Sequence, residues 1–302
     1  MLVRHHYLSL DPYMRGRMNE SKSYAQAQPL DEVMIGGTVG EVVESKNEHF
    51  KVGDKVVGMG GWQQYAIGDA KQRGVLQKVD TPHVPLSAYL GPVGMPGATA
   101  WYGLSRIIAP KKGETVVVSA ASGAVGSVVG QLAKAKGCRA VGIAGGRDKC
   151  DYVVEELGFD ACIDYKAHPD VKSMAKALKE ACPDGIDGYF ENVGGYILDA
   201  VLLRMNAFGR IAMCGMISGY DGQPIPMAAP QLILVNRLKV EGFIVSEHMD
   251  VWPEALKEVG MLVGTGKLKY RETVAQGLKS APEAFLGLLR GKNFGKQLVK
   301  LV

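Results

Sequence analysis

The residues best placed for chemistry lie between Thr115 and Gly137, TVVVSAASGAVGSVVGQLAKAKG. Val116, Val117 and Val118 read as a buried strand. The small-residue turn after them follows the pattern Ala121-x-Gly123-x-x-Gly126, with Gly130 one helical turn later. Gly123 lets the backbone bend and approach a ligand with no Cβ in the way, and Gly126 and Gly130 let a helix pack closely on the strand. The first amides of that helix then face whatever lies over the turn, and the helix dipole favours an anion there. Strand, glycine turn and helix in this order form the setting of a dinucleotide fingerprint. The competing reading is a plain buried strand-to-helix turn.

The end of the next strand bears on which dinucleotide. That segment, AVGIAGGRDK, closes with Ala144, Gly145 and Gly146, then Arg147, Asp148 and Lys149. NAD-specific folds usually carry an acid at this strand end to hold the ribose hydroxyls. Its absence, beside two cations, suits the 2′-phosphate of NADPH, which a carboxylate would repel. The alternative is that Arg147 and Lys149 are solvated surface cations, although a lysine in a first helical turn is poorly placed without an anion to meet it.

The elements that must position these residues alternate from Ala98 onward. Strands are expected at Val116–Ser119, Ala140–Ile143, Ala161–Asp164, Gly188–Glu191, Arg210–Cys214 and Lys239–Val245. Helices fall between them at Ala124–Lys136, near Lys149–Leu157, near Val171–Ala181 with Pro169 at its start, and near Tyr196–Met205. Six strands joined by helices imply right-handed crossovers and an α/β, doubly wound parallel Rossmann sheet. Gly219 to Pro230 is too irregular for a helix and lies past a strand's carboxyl end, where open α/β sheets bind ligands. The first hundred residues read as β-strand and turn, with strands at Gly37–Glu44, Lys55–Met59 and Tyr65–Ile67. The tail holds one amphipathic helix, Val251–Val263, and a short strand, Gln297–Leu301. The expected division is a β-rich domain over 1–97, a nucleotide-binding domain over 98–246, and a return to the first domain over 247–302.

Composition narrows the function classes. The chain has 302 residues, 47% of them hydrophobic and 22% charged, as in globular proteins of one large or two ordinary domains. A net charge of +4 without a basic run argues against nucleic acid as a partner. No apolar stretch reaches membrane-spanning length and the N-terminus lacks a signal-peptide core, so no membrane partner and a cytoplasmic location are expected. The cysteines Cys138, Cys150, Cys162, Cys182 and Cys214 are isolated in sequence and never spaced C-x-x-C, which reads as reduced thiols serving as small hydrophobes. With His5, His6, His49, His83, His168 and His248 scattered, no metal site is expected.

The whole arrangement resembles the medium-chain dehydrogenase/reductase superfamily, and within it the zinc-independent double-bond reductases: curcumin, prostaglandin and plant alkenal reductases. The resemblance is carried by LSLDPYMRGRM (Leu8–Met18), VGMPGATA (Val93–Ala100), AASGAVGS (Ala120–Ser127), GGRDKC (Gly145–Cys150), ENVGG (Glu191–Gly195), CGMISGY (Cys214–Tyr220), GFIV (Gly242–Val245) and GKNFGK (Gly291–Lys296). The curcumin-reductase branch is the most similar, through DPYMRGRM and LLRGKNFGK. The resemblance implies that the β-rich part is a partial GroES-like catalytic domain, since family members carry a few dozen residues ahead of the segment that begins here at Met1. It also implies NADPH-dependent reduction of the carbon–carbon double bond of a small-molecule α,β-unsaturated ketone or aldehyde, in a homodimer.

The site follows from the same resemblance. Gly123, Ala124, Val125 and Gly126 would sit against the pyrophosphate, and Lys149 and Tyr165 would bind the 2′-phosphate. Asn192 would contact the cofactor at the fourth strand's end. Cys214, Gly215, Met216, Ile217, Ser218 and Tyr220 would line the adenosine and nicotinamide side, Phe243, Ile244 and Val245 would flank the nicotinamide, and Asn293 would reach back from the tail. Tyr220 matches the tyrosine placed near the substrate carbonyl, where hydrogen bonding to the developing enolate is worth about 2.7–4 kcal/mol per donor. Taken without the family, Asn192 reads as a cap, Tyr165 and Phe243 as core aromatics, and Tyr220 as a loop packing residue. Met59 and Trp62 are either substrate wall or core of the first domain. After GFIV, Ser246, Glu247 and His248 stand where relatives often have aromatic variants, which points to a different substrate preference. A quinone reductase and a nucleotide-binding protein without turnover remain the alternatives.

Overall fold

The computed structural model describes residues 1–20, 22–68 and 76–302. Among them are thirteen strands: β1 (Leu2–Ser9), β2 (Thr38–Glu44), β3 (Lys55–Gly58), β4 (Tyr65–Ile67), β5 (Leu76–Lys78), β6 (Thr115–Ser119), β7 (Arg139–Ala144), β8 (Ala161–Asp164), β9 (Ile186–Glu191), β10 (Met205–Met213), β11 (Lys239–Gly242), β12 (Glu272–Gln276) and β13 (Lys296–Lys300). The α-helices are α1 (Tyr13–Arg17), α2 (Met95–Tyr102), α3 (Gly126–Ala135), α4 (Arg147–Asp151), α5 (Val171–Ala181), α6 (Gly195–Leu202), α7 (Gln231–Val235), α8 (Trp252–Gly264) and α9 (Ala281–Leu289).

The chain divides into two compact units, Met1–Met95 with Arg271–Val302, and Pro96–Tyr270. The second join thus falls at 270/271, not at the 246/247 expected from sequence. Polar ties explain the shift: α8 stays with the second unit through Trp101 Nε1 donating to Glu258 at 2.6 Å and Arg106 pairing with Glu254 at 2.8 Å.

In the first unit, strands run in the order β12-β13-β1-β2-β3-β5, with β4 also pairing β1. All neighbours are antiparallel except β12 and β13. β1 is central, although its RHHY stretch hides the alternation a strand usually shows. His5 is accommodated at 2% exposure because its Nδ1 meets the Gln63 carbonyl at 2.8 Å. The returning tail is pinned by a buried ion pair, Lys296 Nζ to Asp11 Oδ1 at 2.6 Å, with Nζ also donating to the Leu10 carbonyl. The tail also contains β12 and α9, beyond the single helix and strand expected. α9 packs Phe285 and Leu288 onto Leu8, Leu10 and Val299.

The second unit is a six-stranded, wholly parallel sheet in the order β8-β7-β6-β9-β10-β11. The order reverses between β6 and β9, the doubly wound arrangement with its crevice at the carboxyl ends of those two strands. β6 is buried along its whole length, and Val117, Val141, Tyr189 and Ile211 join Met174, Leu178, Ile197 and Val201 in one core under α5 and α6. α5 spans the expected residues, but its N-cap is Asp170, whose side chain accepts from the Ser173 amide at 2.9 Å, so Pro169 lies outside the helix. α4 starts at Arg147, two residues early, and continues as a wider helical turn over Tyr152–Glu156, which puts Lys149 inside the first turn. β11 ends at Gly242, leaving Phe243 to Val245 just beyond its carboxyl end.

Candidate functional site

The glycine turn after β6 is tied down at both ends. Ala121 N–H donates to the Ile143 carbonyl of β7 at 3.0 Å, and Ser127 N–H to the Gly123 carbonyl at 3.0 Å as α3 begins. The left-handed residue of the turn is Ala120, at φ 52°, and not Gly123. Gly126 has to be glycine for a packing reason: a Cβ there would lie 2.4 Å from the Ala120 carbonyl oxygen. Gly130 serves a different contact from the one expected. Its missing Cβ makes room for the Phe159 ring, whose Cζ would be 1.8 Å away, instead of for the strand. Gly123, Ala124 and Val125 are half-buried at the mouth of the crevice, over the N-terminus of a ten-residue helix.

At the end of β7 the expected absence of an acid is matched by a cluster of cations. Lys149 is half-buried, and its ammonium is held below the usual lysine value by burial and by the neighbouring Lys166. The nearby carboxylate, Asp164 at the end of β8, has Oδ1 engaged by the amides of Gly146 at 2.7 Å and Lys166 at 3.0 Å. Arg147 is exposed and sits 3.5 Å from Asp151 one turn on. The Tyr165 ring lies against the Gly145 backbone. A Cβ on Gly145 would be 2.7 Å from its Cε1 and 2.8 Å from its hydroxyl oxygen. Tyr165 thus lies against the end of β7, and Lys166 is within electrostatic reach of Lys149, an arrangement suited to a dianion.

The carboxyl end of β9 joins the turn to the rest of the site. Asn192 Nδ2 donates to the Ser119 carbonyl at 2.8 Å, and Asn192 N–H to Ser119 Oγ at 2.8 Å. The loop after β10 is stitched onto the same corner. The amides of Cys214 and Gly215 donate to the Glu191 carbonyl, Ile217 N–H to the Asn192 carbonyl, and Ser218 Oγ to the Val193 carbonyl at 2.6 Å. Tyr220 is half-buried and folds back over this loop, its hydroxyl oxygen 3.5 Å from the Met216 amide. The structure thus brings Asn192, Cys214, Gly215, Met216, Ile217, Ser218 and Tyr220 to one side of the crevice.

Phe243 is committed to an aromatic cluster, 5.4 Å from the Tyr102 ring and 6.2 Å from Phe190. Its side chain is a core element, and what it can offer a ligand is its backbone. Ile244 is half-buried beside it, and Val245 is buried with its carbonyl accepting from Trp252 Nε1. His248 stacks on Tyr102 at 4.1 Å between centroids. Met59, Trp62 and Asn293 belong to the first unit. Trp62 packs edge-on to Phe285 in that unit's core, Met59 is exposed, and Asn293 Nδ2 donates locally to the Gly295 carbonyl.

Sequence reasoning missed Glu191. Its side chain is wholly buried, with Oε1 accepting from Ser119 Oγ at 2.8 Å and the Val193 amide at 2.6 Å, beside the buried Tyr189 ring. Burial pushes its carboxyl above the ordinary range despite those donors. The available signal was an acid closing the apolar run GYFE.

The chain matches a family described as "N-terminal domain of oxidoreductase" over residues 1–76 and one described as "Zinc-binding dehydrogenase" over 124–260. It is 49% identical to a putative NADP-dependent oxidoreductase of Bacillus subtilis, covering 100% of this chain and 88% of the relative. It is 46% identical to the NADPH-dependent curcumin reductase of Escherichia coli, covering 100% and 87%. The crystal structure of CurA from Vibrio vulnificus in complex with NADPH superposes with a TM-score of 0.92 at 46% identity, covering 100% of this chain and 90% of that one. Among the described residues no three His, Cys, Asp or Glu side chains gather as metal ligands.

Proposed function

The chain belongs to the medium-chain dehydrogenase/reductase family of oxidoreductases, and on that premise we propose that it uses NADPH to reduce the carbon–carbon double bond of α,β-unsaturated ketones and aldehydes. The observation that carries the cofactor choice is the half-buried Lys149 beside Lys166 and Tyr165, at a strand end whose nearby carboxylate is occupied by amides. The 46% identity to a curcumin reductase supports the substrate class.

When bound, NADPH supplies the reducing equivalent. The turn Gly123–Gly126 holds its pyrophosphate on the amino end of α3, and Lys149 and Tyr165 hold the 2′-phosphate. Asn192, the Cys214–Tyr220 loop and the backbone of Phe243, Ile244 and Val245 bound the rest of the crevice. Tyr220 acts on substrate: its hydroxyl hydrogen bonds the carbonyl oxygen as negative charge builds there, lowering the barrier by about 2.7–4 kcal/mol. The α-carbon takes its proton from solvent. Purified protein should oxidise NADPH with small enones and enals, faster than NADH and faster than with quinones. Consumption with quinones alone would assign the protein to quinone reduction, and binding of NADPH with no consumption by any acceptor would make it a binding protein.

A further inference from the structure

We propose that Cys150 and Cys162 are a redox modification site, closing to a disulfide under peroxide and thereby loosening the grip on the 2′-phosphate. Twelve positions apart in sequence, the two thiols are neighbours in the fold, each the largest influence on the other's titration. Cys162 lies on β8 directly across from Gly142 of β7. The point above Gly142 lies 3.2 Å from Cys162 Sγ and 3.0 Å from Val153 Cγ1, so the thiol points at the helical segment that follows α4. Cys150 is three residues before Val153, on the same face of that segment. The missing side chain at Gly142 leaves room beside the Cys162 sulfur.

The chemistry is balanced with one peroxide. One thiol takes an oxygen from hydrogen peroxide to become a sulfenic acid, releasing water. The second thiol displaces a second water to form the S–S bond, so two thiols are oxidised and one peroxide is reduced. Cys162 is half-buried, which leaves the pair within reach of a small oxidant.

The consequence follows from position. Cys150 adjoins Lys149, and Cys162 precedes Tyr165 and Lys166 by three and four residues. Closing to a sulfur–sulfur bond of about 2.05 Å draws α4 toward β8 and moves these groups relative to each other. Losing one charge-assisted contact lowers affinity about tenfold or more. This part rests on the NADPH reading above.

The test treats the full chain with hydrogen peroxide, maps disulfides by non-reducing peptide mass spectrometry, and measures affinity for NADPH and NADH before oxidation, after it, and after dithiothreitol. The expected result is a Cys150–Cys162 linked peptide, an NADPH affinity about tenfold weaker, unchanged NADH affinity, and recovery on reduction. Cys162→Ala should keep its NADPH affinity under peroxide. Absence of the linked peptide, or an equal loss in Cys162→Ala, overturns the proposal. Reduced protein with no preference for NADPH would overturn the cofactor reading instead, while the peptide map still decides the disulfide.

Discussion

Substituting Gly145 by alanine isolates the 2′-phosphate site from everything else in the fold. Gly145 is not in the left-handed region, so alanine brings no backbone strain. Its Cβ would lie 2.7 Å from Tyr165 Cε1, 2.8 Å from the hydroxyl oxygen and 2.9 Å from Cζ. Carbon–carbon contacts settle at about 3.5–4.0 Å, so the ring has to retreat by about 1 Å. That displacement takes the hydroxyl out of hydrogen-bond range of a phosphate bound at Lys149. A hydrogen bond to a charged group is worth about 1.5–3 kcal/mol, which converts to a loss of about ten- to a hundredfold in NADPH affinity. NADH, with no phosphate there, should bind as before. Titration calorimetry of Gly145→Ala, Tyr165→Phe and the double variant with both cofactors provides the readout. Because both changes remove the same contact, the double variant should be no weaker than the worse single one. Unchanged NADPH affinity, equal loss for NADH, or additive losses would refute the reasoning.

Three further outcomes are expected. Tyr220→Phe should lower turnover with an enone by about tenfold or more while NADPH affinity holds, measured by steady-state kinetics and titration. Glu191→Gln should be more stable than the parent at neutral pH and equal to it in acid. The folded carboxyl titrates above its unfolded value, so the parent loses stability as pH rises past the ordinary carboxyl value of about 4.3; denaturation midpoints across pH would show the curves merging at low pH. Gly130→Ala sets a methyl 1.8 Å from Phe159 Cζ and should cost about 1–3 kcal/mol, with Phe159→Leu recovering part of the loss in thermal melts.

The parallel sheet was legible because its strands are buried on both faces and read as apolar runs broken by helical periodicity, as in Thr115–Ser119 and Val171–Ala181. The missing acid after β7 was legible for the same local reason. The Gly145–Tyr165 contact was not, because it depends on the register that sets Ala144 beside Asp164 across two strands. The pairing of Cys150 with Cys162 depends on the same register. β1 was hidden by its histidines, and the partner of His5, Gln63, lies 58 positions away. Glu191 was passed over because an acid at a strand end looks solvent-facing until Ser119 and Val193 are folded onto it.

Building the first unit from both ends of the chain sets an order of assembly during synthesis. A nascent polypeptide that has emerged only as far as Tyr270 already holds every strand of the parallel sheet, while β1 still lacks β13 and Asp11 still lacks its lysine. The nucleotide-binding half can close on the ribosome, whereas the Tyr7–Ser9 stretch of β1 stays unpaired on the side away from β2 until residues 296–300 are translated. That interval is when an exposed edge invites association between chains.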